Sequence, residues 1–121
     1  MLVLAPAAQA GGPALTLGAS EDAVRSPDLV TAKANMALLR LAGFGAVRIS
    51  SLWLGGQKEP TAQEKMILGN VSAAATLNGI RVYVAVYNAG SKTTPLSAQD
   101  RSDFAAYAAA IAKDVPDWKI R

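Results

Sequence analysis

One pattern in this sequence occurs twice and constrains the fold more than any other feature. Leu41-Ala42-Gly43-Phe44-Gly45-Ala46-Val47 is followed about 36 residues later by Leu77-Asn78-Gly79-Ile80-Arg81-Val82-Tyr83. Each copy reads as a helix end, a glycine stop and an incoming apolar strand. Glycine suits the stop because the left-handed conformation there carries no Cβ penalty. A repeat of one helix plus one strand is the period of a βα unit, and such units line up into a parallel sheet covered by helices.

The remaining elements fit that frame. Ala14 to Gly18 reads as a first strand. Ser26-Pro27 reads as a helix start, with serine as N-cap and proline at the first helical position. Val30, Ala34, Ala37, Leu38 and Leu41 then fall on one helical face, expected to be the buried one. Ala46 to Ser50 forms the second strand. Thr61-Ala62-Gln63-Glu64 is a capping box, in which the threonine and the glutamate each satisfy a free backbone donor. The helix it opens buries Ile67, Val71, Ala74 and Ala75.

Ile80 to Tyr87 is the most continuously apolar strand of the set, and its lack of polar alternation fits a parallel strand covered on both faces. Ser97-Ala98-Gln99-Asp100 opens a third helix whose apolar face is Phe104, Tyr107, Ala108, Ile111 and Ala112. Val115-Pro116 ends it, and Trp118 to Arg121 leads into a further strand. The expected fold is α/β: a parallel βαβαβα segment, about three of the eight units of a TIM (β/α)₈ barrel and so incomplete. A whole barrel takes about 250 residues, against 121 here.

Composition removes several chemistries. The chain has no cysteine and no histidine, which excludes disulfides, thiolate nucleophiles, the usual zinc sites and a Ser-His-Asp triad. Twelve basic residues stand against nine acidic ones, but they are scattered singly, which reads as a solvated surface and not as a nucleic-acid stripe. The phosphate-binding fingerprints G-x-G-x-x-G and G-x-x-x-x-G-K-[ST] are missing. No segment reaches the length of apolar sequence that a membrane span requires. Residues 1–10 end in Ala8-Gln9-Ala10, an A-x-A pattern, and read as the remnant of a secretory signal, giving an expected secreted location and a domain over residues 14–121. No metal, cofactor or obligate protein partner is expected.

Two strand ends carry candidate functional residues. In Val47-Arg48-Ile49-Ser50-Ser51-Leu52-Trp53, alternation places Ala46, Arg48 and Ser50 opposite Val47 and Ile49. In a barrel the small polar face points inward, and Arg48 then stands near the catalytic rim. Trp53, just past the strand, offers a flat ring to a sugar. A structural salt bridge for Arg48 and a loop-covering role for Trp53 are the competing readings. At the end of the third strand, Val82, Val84 and Val86 suit the helix layer. Tyr83, Ala85 and Tyr87 take the other face, and Asn88 begins the loop. Both tyrosines are equally readable as core residues with satisfied hydroxyls. Glu21-Asp22 follows the first strand. A retaining glycosidase needs carboxyls about 5 to 5.5 Å apart; neighbours in sequence point in different directions, so this pair reads as surface charge.

These residues resemble the clan A, cellulase-like (β/α)₈ glycoside hydrolases. Strand two of that family often reads V-R-I-x-x-x-W after L-x-x-x-G-F, matched here by Leu39 to Phe44, Val47-Arg48-Ile49 and Trp53. Strand three often reads G-I-x-V with a terminal His-Asn. Gly79-Ile80-Arg81-Val82 and Asn88 match, and Tyr87 replaces the histidine. The resemblance implies that Arg48 supports a carboxylate nucleophile through a charge-assisted hydrogen bond, and that Trp53, Tyr87 and Asn88 contact carbohydrate. The family's acid/base and nucleophile glutamates end strands four and seven. Neither position falls within these 121 residues, so the resemblance implies a fragment that is inactive alone. The alternative from the residues is a small flavodoxin-like α/β module binding a ligand at its strand ends.

Overall fold

A computed structural model describes residues 15–90, 94–115 and 117–120. Four strands, β1 (Gly18–Ser20), β2 (Ala46–Trp53), β3 (Arg81–Asn88) and β4 (Lys119–Ile120), alternate with α1 (Leu29–Leu41), α2 (Ala62–Asn78) and α3 (Ala98–Asp114). A single 3-10 turn, Asp22–Val24, follows β1. All strand pairs are parallel, in the order β1-β2-β3-β4. This is the α/β fold expected. Among the described residues this sequential order has no point of reversal, the feature at which a flavodoxin-like sheet binds its ligand.

The core lies on one side of the sheet. Val47, Ile49 and Trp53 of β2 and Val82 and Val84 of β3 join Ala32 and Met36 of α1, four residues of α2, and Tyr107 and Ile111 of α3 in one cluster. Among the described residues the other sheet face has no helix over it. It carries Ser20 of β1, the series Ala46, Arg48, Ser50, Leu52 of β2, and Tyr83, Ala85, Tyr87 of β3 in register beside them. A parallel sheet bare on one face is unusual, because βαβ crossovers ordinarily bury both. In an eight-stranded barrel that same face is the interior.

Local signals account for most boundaries. Gly43 (φ 95°) and Gly79 (φ 63°) take the left-handed conformation just past α1 and at the end of α2. The Phe44 amide reaches back to the Leu39 carbonyl, closing the first stop. Thr61 and Ser97 cap α2 and α3 by accepting from the Glu64 and Asp100 amides.

Several boundaries differ from the sequence reading. β1 begins at Gly18, although the Leu17 carbonyl already accepts from the Gly45 and Ala46 amides. Gly18 lies so close to Ala46 that a Cβ would come within 3.3 Å of the alanine Cβ. Ala14 lies outside the described residues. α1 is capped by Asp28, whose carboxylate accepts from the Thr31 amide at 2.8 Å, while the Ser26 hydroxyl, two residues before it, accepts from the Asp28 amide. The helix face also differs. Ala32 and Met36 are buried, whereas Val30, Leu38 and Leu41 are 74%, 63% and 83% exposed. α1 is apolar around most of its circumference, so spacing alone offered two stripes.

In α2, Leu68 is buried with Val71, Ala74 and Ala75, and Ile67 is half-buried. β2 runs three residues further than expected, to Trp53. Among the described residues no helix is long and apolar enough to cross a membrane. Residues 1–10, with the signal-like pattern, lie outside the described residues.

Candidate functional site

The helix-free face is assembled by alternation. β2 places Arg48 outward from the core while Val47 and Ile49 are fully buried on the other side. The Arg48 guanidinium donates to the Ser20 hydroxyl at 3.2 Å. Beside it is a hollow of about 340 Å³ lined by Gly18, Ser20, Ala46, Arg48 and Tyr83. No carboxylate bridges to Arg48 among the described residues. Arg48 lies on the sheet face opposite the helix-packed core.

One layer nearer the carboxyl ends of the strands, the Tyr87 hydroxyl donates to the Ser50 hydroxyl at 3.1 Å. Tyr87 is 43% exposed and Leu52, its register partner on β2, is 45% exposed. Neither is a core residue. Asp22 completes the layer: its carboxylate accepts from the Ser50 amide at 2.8 Å. β1 has ended by then, with its last ladder bond running from the Glu21 amide to the Arg48 carbonyl. The Asp22 side chain thus takes the rung that the next backbone carbonyl would occupy. Glu21 instead accepts from the Ala23 amide at 2.8 Å and caps the 3-10 turn. The two neighbouring carboxylates do point to different tasks, but only Glu21 is spent on its own loop.

Trp53 does not join this site. It is the last residue of β2, shares the core face with Val47 and Ile49, and is 0% exposed. Its ring meets Phe104 of α3 edge-on at 5.5 Å. Its indole N–H donates to the Gln57 carbonyl at 2.7 Å, which ties down the turn through Gly55 and Gly56. A ring enclosed on both sides offers no surface to a sugar, so the expected stacking role is corrected to a packing one. The cause is the longer strand: at an odd position of β2, Trp53 must follow Val47 inward to the helices.

Asn88 also stands apart from Arg48 and Tyr87. It ends β3 on the Val82 face, and its carboxamide donates to the Gly90 carbonyl and to the Thr94 hydroxyl. It organises its own loop.

A second polar cluster was not legible beforehand. Ser51, fully buried on the core face of β2, donates to Glu64 of α2 at 2.9 Å and meets the Tyr107 hydroxyl of α3 at 2.9 Å. Glu64 also receives Arg25 at 2.5 Å, and Tyr107 reaches the Leu52 carbonyl at 3.2 Å. Burial holds the Tyr107 hydroxyl above its ordinary value; the hydrogen bond with Ser51 opposes this, the Glu64 charge adds to the rise, and the Arg25 charge opposes it. Glu64 is therefore engaged away from the Thr61 amide, and the capping box is only half formed. The sequence signal was a serine interrupting the apolar series Val47, Ile49, Trp53. The cluster joins the β1–α1 loop, β2, α2 and α3 behind the sheet, on the side away from Arg48. Among the described residues no group of three or more metal-ligating side chains converges.

The class defined by this fold and geometry is a singly wound parallel α/β sheet with a polar, helix-free face. In comparisons with known proteins, no family model, no curated protein and no solved structure matches the chain.

Proposed function

We propose that these residues are the first βα units of a secreted retaining (β/α)₈ glycoside hydrolase acting on a β-linked glucan or a similar polysaccharide. In this reading the helix-free face is the wall of the active site. The observation that carries it is Arg48: a guanidinium in mid-strand, on the face away from the helices, whose partner among the described residues is the Ser20 hydroxyl. An arginine so placed suits a carboxylate brought from another strand, which it would hold ionised by a charge-assisted hydrogen bond. Tyr87, exposed and linked to Ser50, supplies an aromatic face and a hydroxyl to the sugar. Trp53 has no part in binding, and Asn88 acts through its loop.

The resemblance puts the two glutamates of the retaining reaction at the ends of strands four and seven, and neither of those positions falls within these 121 residues. The purified chain is expected to give no turnover of aryl β-glycosides. Sequencing the reading frame around it supplies the test of the whole: a continuation of β4 ending in Asn-Glu supports the hydrolase, and reproducible turnover by the 121-residue chain alone overturns the assignment of roles.

A further inference from the structure

We infer that Asp22 is a ligand-binding carboxylate, one that fixes the preference of the Arg48 face for a neutral polyhydroxylated ring; the inference rests on the carbohydrate reading above. Asp22 is exposed at the end of β1, in the first residue of the 3-10 turn. One carboxylate oxygen is held by the Ser50 amide at 2.8 Å, so the group is aimed before any ligand arrives. The same Ser50 accepts from Tyr87 through its side chain at 3.1 Å. One strand residue therefore sets a carboxylate on its main-chain side and a phenol ring on its side-chain side, both at the carboxyl end of the sheet.

The chemistry of that pair is complementary to a pyranose. A carboxylate only accepts hydrogen bonds, and its second oxygen suits the hydroxyls of a sugar ring. The Tyr87 ring, 43% exposed, covers the apolar C–H face of the same ring. A uronic acid or a sulfated sugar would bring its charge beside Asp22, so like-charge repulsion selects against it. A purely structural Asp22 would need its acceptor oxygen and not its charge.

That difference sets the experiment. Asp22→Asn keeps a side-chain oxygen to accept the Ser50 amide but loses the charge. Asp22→Ala loses both and serves as the control for the ladder role. The probe is cellohexaose, titrated into the 121-residue chain with amide chemical shifts as the readout and thermal unfolding measured in parallel. Wild type is expected to shift around Ser50 and Tyr87. Asp22→Asn is expected to weaken binding about tenfold with Tm unchanged, the size of one charge-assisted hydrogen bond. Equal binding by wild type and Asp22→Asn would overturn the role of Asp22 and leave the carbohydrate reading standing. No shift in wild type at millimolar cellohexaose would overturn both.

Discussion

The hydroxyls of Ser51 and Tyr107 meet at 2.9 Å in the layer between β2 and α3, and both side chains are almost wholly enclosed. Tyr107 also reaches the Leu52 carbonyl. Removing the phenol oxygen leaves Ser51 and that carbonyl each short of a partner. Tyr107→Phe is expected to lower stability by about 1 to 2 kcal/mol in urea unfolding. The loss should depend on pH. The folded state holds the Tyr107 proton more tightly than the unfolded chain, so this stability is complete below the ordinary tyrosine value of 10.0 and declines as pH rises beyond it. Wild type should therefore lose more stability than Tyr107→Phe between neutral pH and strongly alkaline solution. Parallel curves for the two proteins would contradict the account of Tyr107.

Arg25 and Glu64 form the charged end of the same cluster, with side chains 23% and 15% exposed. Glu64→Leu strands the Arg25 charge in a poorly solvated place and removes the acceptor of Ser51. A loss of about 3 kcal/mol is expected, the lower end of the range for breaking a buried pair. Arg25→Met combined with Glu64→Leu should recover part of that loss, because the stranded charge is gone. A double-mutant cycle by urea denaturation measures the coupling.

Trp53 separates packing from binding. Trp53→Ala removes a fully buried ring from its contact with Phe104 and the hydrogen bond that fixes the Gln57 turn. It should cost about 3 to 5 kcal/mol in unfolding experiments. Tyr87→Phe, by contrast, removes a hydroxyl from a half-open site and should change stability by less than about 1 kcal/mol. Similar losses for the two variants would show that Trp53 is not the core residue its burial implies.

The sequence disclosed the fold where one local rule had no competitor. Gly43 and Gly79 marked the helix ends because a left-handed stop has few alternatives, and Thr61 and Ser97 marked the starts of α2 and α3. The faces of β2 and β3 followed from alternation, which placed Arg48 and Tyr87 opposite the valines. Where two solutions satisfied the same rule, the sequence could not choose. α1 has apolar stripes on two sides, and the tertiary packing selected Ala32 and Met36 over Val30 and Leu38. Trp53 changed role because β2 continued to it. The parts of the site built by side chains reaching across the chain, Asp22 to Ser50 and Ser51 to Glu64, span 28 and 13 residues and leave no local pattern.

Arg48 is proposed to face a reaction centre. Arg48 is exposed and, among the described residues, has one hydroxyl partner, so Arg48→Ala should alter stability by no more than about 0.5 kcal/mol. The deciding measurement is kcat on an aryl β-glycoside for the protein encoded by the complete reading frame, wild type against Arg48→Ala. A fall of about ten- to a hundredfold with unchanged Tm is expected, the loss of one charge-assisted hydrogen bond to the proposed nucleophile. Turnover unaffected by Arg48→Ala would contradict it.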